Sequence, residues 1–330
     1  MTSPVARFLP LFAALSAVTP ACAPEPEGDE LEFRTTCETC GSNSPQIDDA
    51  PFPELSLSGQ PNSAGVSLVG LRDPVTQVLH PLVIAGRDEL VVLDENDAIL
   101  YHGADLIDWF LVLEKDGDPV FGQIVAYNAA EPALDNSGRP FNTYAIAFVD
   151  NSGIVTTKNV CPTYWDEPTN PVLTIIAGAT YDRVLKRVQF DSDWVTFACK
   201  DQAAFKAKAL GYEQNVNFAQ TGAPATQDQQ DATLKMITAD YCGGGFSFTE
   251  QNTSVLWANT AGTVLPKTDP NDPNEIEGIE AVWNQDGAIC LTTPRKGNLA
   301  DVEAECPGIP LCSNVDWANM AHEWVTWKPL

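Results

Sequence analysis

The chain has 330 residues, of which 18 are Lys or Arg and 45 are Asp or Glu, so its formal net charge is −27. This charge repels phosphate backbones, which excludes nucleic-acid binding through a basic patch. The hydrophobic fraction of 44% is too high for a wholly disordered chain. Nine cysteines are more than a cytosolic protein of this length usually carries, which favours export. With three histidines, the sequence predicts neither a metal site nor a cofactor.

Residues 1–21 are predicted to be a secretion signal, in which Arg7 precedes an apolar run. The run is too short to span a bilayer, which takes ~20 apolar residues. Residues 19–22 end in Ala-Cys and resemble a bacterial lipoprotein box, so Cys22 is the predicted lipidation site. The alternative is ordinary signal-peptide cleavage after the Ala-x-Ala sequence that ends at Ala23, which would leave an unlipidated periplasmic or secreted chain. Pro24 disfavours that alternative, because it would follow the cleaved bond.

If Cys22 carries a lipid, the remaining cysteines are even in number, which predicts a disulfide framework in an exported protein. The sequence does not fix their pairing. Cys306 and Cys312 are expected to close a short loop with each other. The eight candidates are Cys37, Cys40, Cys161, Cys199, Cys242, Cys290, Cys306 and Cys312.

Residues 22–62 are predicted to form an extended tether, because prolines interrupt the segment and acidic residues solvate its start. Within this segment, Cys37 and Cys40 have CxxC spacing and are predicted to form a local disulfide. The alternative is a redox-active pair. Residues 63–153 show short apolar runs separated by turn signals, which predict a β-rich meander or small barrel. The aspartates in 94–97 and 116–118 favour hairpin turns over calcium loops.

Residues 154–330 are predicted to form a mixed α+β domain stapled by disulfides. Thr226 and Gln229 have the spacing of a helix capping box. The remaining predicted elements are a helix from Asp201 to Gly211, a helix end at residues 243–245, a hairpin around 284–287, a short helix over 299–305 and a terminal strand over 323–327.

The sequence Ala239-Asp240-Tyr241-Cys242, followed by three glycines, resembles the ADYC-domain family. Short motifs on either side occur in the family's order, and the resemblance covers about residues 155–315. The family consists of uncharacterised exported proteins, mainly from myxobacteria. The resemblance therefore implies export but no known reaction.

Cys242 is the most plausible nucleophile in the chain, but its surroundings argue against an activated thiol. A helix C-terminus and the neighbouring Asp240 both disfavour a thiolate. We therefore expect Cys242 to form a disulfide with Cys290 or another neighbour. Asp240 is then a hydrogen-bond acceptor at the helix end, and Tyr241 is a packed ring.

These patterns predict a non-catalytic binding or structural module anchored in the cell envelope. Its partner would be an unknown envelope or extracellular ligand, contacted through loops or through the aromatic C-terminus with Trp317, Trp324 and Trp327. Membrane contact is expected only through the N-terminal lipid. One alternative is an extracytoplasmic hydrolase or thiol enzyme that uses Cys242 or clustered carboxylates. A second alternative is a calcium-dependent binding module.

Overall fold

A computed structural model of the protein describes five segments of the chain. The predicted signal peptide, the lipidation site Cys22 and the pair Cys37 and Cys40 lie outside them. The described residues are 44–150, 155–218, 222–249, 253–266 and 276–330.

Fourteen strands come first along the described chain, and all of their pairings are antiparallel. They are β1 (Gln46–Ile47), β2 (Ala50–Pro51), β3 (Glu54–Ser56), β4 (Val66–Arg72), β5 (Leu79–His80), β6 (Val83–Ala85), β7 (Glu89–Leu93), β8 (Ile99–His102), β9 (Phe110–Lys115), β10 (Asp118–Glu131), β11 (Phe141–Asp150), β12 (Thr156–Asn159), β13 (Leu173–Asp182) and β14 (Arg187–Cys199).

Nine of these strands form one sheet in the order β3-β14-β13-β11-β10-β9-β4-β5, with β12 paired to β11. Within the described residues the order has two different ends, so the sheet is open and not a closed barrel, and β6, β7 and β8 form a separate three-stranded sheet. The predicted domain boundary at residues 153 and 154 falls between β11 and β12, which pair with each other. One sheet therefore contains strands from both predicted regions.

Side chains in the strands of this sheet alternate between the core and the outer face. In β9, Leu111 and Leu113 are buried in the core while Glu114 faces solvent. In β4, Val66 and Leu68 point inward and Val69 is exposed. This two-residue period is the pattern of a sheet with one face on the core.

The second half adds three helices and a smaller sheet. The elements are α1 (Ala203–Ala209), α2 (Gln227–Thr238), β15 (Leu256–Asn259), β16 (Ile276–Asn284), β17 (Gly287–Leu291), α3 (Leu299–Glu305) and β18 (Trp324–Pro329). The small sheet has the order β15-β18-β16-β17. Short 3-10 helices lie at Gly103–Leu106, Pro162–Tyr164, Cys312–Asn314 and Trp317–Asn319. The predicted α+β class, hairpin, short helix and terminal strand are confirmed.

Helix α2 links the two sheets, because it contacts β14 of the large sheet and β16, β17 and β18 of the small one. Its predicted start is confirmed, since the Thr226 hydroxyl accepts a hydrogen bond from Gln229 N and the Gln229 side chain bonds back to Thr226 N. The predicted end at residues 243–245 is wrong. The helix stops at Thr238, because Ala239 adopts the left-handed conformation with φ 50°.

The predicted extended tether is corrected over residues 44–62. This part of the chain contains β1, β2 and β3 and packs on the large sheet. Phe52 and Leu55 are fully buried, and the Phe52 ring lies 5.6 Å from that of Phe197. Prolines are compatible with these short strands because the strands lie at sheet edges or pair only briefly.

Of the helices within the described residues, none is both long and apolar enough to cross a membrane.

Candidate functional site

The ADYC motif begins where α2 ends. Ala239 is fully buried and caps the helix, and its N–H bonds to the carbonyls of Lys235 and Met236. The chain then turns away from the helix axis, and Phe248 N donates to Ala239 O at 3.1 Å. This turn places the next three residues between α2 and the hairpin of β16 and β17.

Asp240 is fully buried below the end of α2. Its Oδ2 accepts the N–H of Gly245 at 2.8 Å and lies 3.7 Å from Lys235 Nζ. Oδ1 has no hydrogen-bond partner within the described residues. Burial raises the pKa of Asp240, and the charge of Lys235 opposes that shift. The predicted role as a helix-end acceptor agrees with this geometry.

Tyr241 packs as predicted, and its hydroxyl also joins a buried polar network that the sequence did not reveal. The ring stacks on Trp283 with centroids 5.0 Å apart. The hydroxyl donates to Glu280 Oε1 at 2.6 Å and accepts from Arg295 N at 2.7 Å. Arg295 completes the network with two bonds to Glu280 and one to Ile237 O. Burial raises the pKa of Tyr241 well above its ordinary value.

Cys242 is bonded to Cys306, which follows α3. It is therefore not a free thiol nucleophile in this structure. The expected disulfide at Cys242 is present, but its partner is not Cys290. The predicted loop between Cys306 and Cys312 is wrong as well, because Cys312 is bonded to Cys290. Short spacing favoured the local loop, whereas the packing of α3 against the motif decides the pairing.

A third disulfide joins Cys161 to Cys199 within the hydrophobic core of the nine-stranded sheet. All six of the predicted disulfide cysteines that lie in the described residues are therefore paired. Disulfides form and persist in oxidising compartments, so this framework indicates an extracytoplasmic environment.

The three tryptophans of the aromatic C-terminus differ in exposure. Trp324 is fully buried, and its Nε1 donates to Thr233 Oγ1 at 2.8 Å. Trp317 and Trp327 are half-buried against a small cluster that contains Val325. These tryptophans hold β18 in place.

A partly exposed polar cluster lies at the start of the 3-10 helix that follows β8. His102 Nδ1 lies 3.0 Å from Glu89 Oε1, which also accepts a hydrogen bond from the Tyr127 hydroxyl at 3.1 Å. Gly103 makes room for the Glu89 carboxylate, because a Cβ at residue 103 would lie 2.6 Å from Glu89 Oε1. Glu89 raises the pKa of His102, while burial and Glu89 raise that of Tyr127 to about 12. The sequence carried no signal for this cluster, because its members come from separate strands.

A surface groove of about 370 Å³ opens where β10 and β11 diverge. The pairing of β10 with β11 ends at Gln123 and Ala147. Among the described residues, 118–122 of β10 pair only with β9, and 148–150 of β11 pair only with β12. Phe110 and Phe121 line the groove, and the guanidinium of Arg72 lies over both rings, at 5.1 and 4.5 Å from their centroids.

One carboxylate contributes to the lining of this groove. Asp48 lines the groove, and its pKa is raised by partial burial and by the charges of Asp150 and Asp49. Lys158 opposes the shift and pairs with Asp150 at 2.6 Å. A cation placed beside Asp48 would relieve this repulsion.

The aspartates considered as calcium ligands serve hairpin turns. Asp94 Oδ1 accepts the N–H groups of Asn96 and Ala98 in the turn between β7 and β8. Asp116 adopts a positive φ of 55° in the turn between β9 and β10. Across the segments that the structure describes, no group of three or more His, Cys, Asp or Glu side chains is arranged to hold a metal ion.

The fold and the motif geometry define a strand-rich, disulfide-linked α+β protein whose signature residues form part of its core. Residues 103–297 match the family model of the ADYC domain, which covers more than half of the chain. The protein therefore belongs to the ADYC domain family, and the resemblance seen in the sequence is confirmed. No curated protein and no solved structure matches it.

Proposed function

We propose that this protein is an exported, lipid-anchored envelope protein that acts as a non-catalytic binding module. The observation that carries the proposal is the internal use of the signature motif. Asp240 and Tyr241 are at most 1% exposed, and the sulfur of Cys242 is bonded to Cys306. A motif with no accessible reactive group supports a structural role for that motif. A ligand would then bind to other residues, on the molecular surface.

The proposed surface for a ligand is the groove where β10 and β11 diverge. Its aromatic lining favours apolar side chains, and Asp48 in its lining favours a cation. The net charge of −27 adds long-range attraction for a basic partner. The proposed ligand is therefore an extended, apolar segment with Lys or Arg residues, presented by an envelope or extracellular protein.

Selection from a random peptide library on the immobilised, full-length protein tests this groove. We expect enrichment of apolar peptides with basic residues, and loss of their binding in a Phe121→Asp variant. The matched control is Val75→Asp, which changes an 87% exposed valine outside the groove lining and should leave binding intact. Equal binding by both variants, or no enrichment, would refute the groove as the binding surface.

The proposed anchor is tested separately at Cys22. Mass spectrometry of the N-terminal peptide should show acylation at Cys22, and a Cys22→Ala variant should leave the membrane fraction. An unmodified N-terminus that begins at Pro24 would contradict lipidation without bearing on the groove.

A further inference from the structure

The side chain of Lys208 is buried between two carboxylates. Its Nζ lies 3.0 Å from Asp88 Oδ2 and 2.9 Å from Glu213 Oε2, and it also donates to Ile175 O at 3.0 Å. The exposed fractions of the three charged side chains are 0, 2 and 1%. Burying such charges is costly, because the ions lose their hydration.

The neighbouring groups organise this cluster further. Arg87 pairs with Glu213, which gives the site two cations and two carboxylates. Asn142 donates twice to the carboxylate of Asp88, from Nδ2 to Oδ1 at 2.6 Å and from its backbone N to Oδ2 at 3.1 Å. These donors polarise the carboxyl group that faces the amine. The ring of Phe141 lies 5.7 Å from Lys208 Nζ and shields it.

From this geometry we propose that Lys208 and Asp88 form an intramolecular isopeptide bond, with Glu213 as the proton carrier. The nucleophilic nitrogen is held against the carboxyl group it would attack, so the reaction has no cost of bringing the partners together. The carboxylate of Glu213, which also contacts Lys208 Nζ, supplies the base that an amine nucleophile requires.

The step balances without a cofactor or an oxidant. Glu213 takes a proton from the Lys208 ammonium and passes it to the Asp88 carboxylate. The neutral amine then attacks Cγ of Asp88, and the Asn142 side chain stabilises the charge that develops on Oδ1. A new C–N bond forms while the other C–O bond of Asp88 breaks. One of the two protons left on the nitrogen moves through Glu213 to the departing hydroxyl and the other stays on the amide, so an ammonium and a carboxylate become one amide and one water.

The product removes the charges of Lys208 and Asp88 and leaves Arg87 paired with Glu213. It ties the turn before β7 to helix α1, and so joins the three-stranded sheet of β6, β7 and β8 to that helix. The closed loop, from residue 88 to residue 208, is longer than those of the three disulfides, whose partners are 22 to 64 residues apart. A long cross-link restricts the unfolded chain more than a short one does.

Tryptic mapping of the purified, folded, full-length protein after reduction tests the bond. An amide at Lys208 blocks cleavage there, so we expect residues 207–235 joined to residues 88–115, at the summed mass of both peptides less one water. The bond must be absent in Lys208→Arg and reduced in Glu213→Gln. Lys200→Arg is the control, since Lys200 forms a more exposed pair with Glu131 at 2.9 Å, and it should retain the full cross-link.

The wild-type protein decides the question even if a variant fails to fold. Free residues 88–115 together with complete cleavage after Lys208 would overturn the proposal. A fully cross-linked Glu213→Gln variant would overturn the assignment of Glu213 as proton carrier.

Discussion

Tyr241 and Tyr181 are both buried tyrosines, but their hydroxyls have different surroundings. The hydroxyl of Tyr241 bonds to Glu280 and to the backbone N–H of Arg295. That of Tyr181 has no hydrogen-bond partner among the described residues. A buried hydroxyl contributes to stability mainly when its removal leaves a partner unsatisfied.

We therefore predict that Tyr241→Phe lowers the free energy of unfolding by about 1–3 kcal/mol, because it leaves the Arg295 N–H without its acceptor. Tyr181→Phe should cost much less, since no protein partner loses a bond. Chemical denaturation with the disulfides intact measures both changes. Equal losses in the two variants would show that the network around Tyr241 does not stabilise the motif.

His102 provides a residue-scale test in solution. Its hydrogen bond to Glu89, together with the charge of Glu89, raises its pKa above the ordinary value of about 6.5. The pair therefore contributes its full stability below that ordinary value, and loses it as the pH rises through the higher folded pKa. We expect NMR titration of the His102 ring to show this raised pKa, and Glu89→Gln to lower it. An unchanged titration in the variant would mean that the pair does not form.

At the scale of elements, the turn after the motif depends on two close backbone approaches. A Cβ on Gly243 would lie 1.9 Å from Asp286 O, and one on Gly245 would lie 1.9 Å from Val184 O. Both residues have positive φ values of 67° and 97°. Gly244 between them has no heavy atom within 4 Å of its Cβ position.

We predict that Gly243→Ala and Gly245→Ala each destabilise the fold by about 2 kcal/mol or more, because contact with backbone atoms adds to left-handed strain. Gly244→Ala should have little effect. Thermal unfolding of the three variants side by side measures the difference. A similar loss in all three would show that the turn has another conformation.

The sequence predicted correctly those elements whose position is set by residues close together in the chain. The start of α2 follows from Thr226 and Gln229, and the hairpin of β16 and β17 follows from the turn at residues 284–287. It failed where tertiary packing decides, as at the end of α2 and in the packed segment 44–62. The partners of Tyr241 and His102 also come from distant strands, and no local spacing could reveal them.

At the scale of the whole molecule, two sheets hold α2 between them, and disulfides secure both cores. Cys161–Cys199 lies within the core of the large sheet, while Cys242–Cys306 and Cys290–Cys312 secure the small sheet and α3. The ADYC motif contributes Cys242 to the second group. We therefore propose that this signature builds the fold and that its Cys242 performs no thiol chemistry.

Alkylation of the native protein, followed by non-reducing peptide mapping, tests that claim most directly. We predict that Cys242 stays unalkylated before reduction and appears in a peptide linked to Cys306. Rapid alkylation of Cys242 in the folded protein would contradict the account, because it would place a free thiol in the motif.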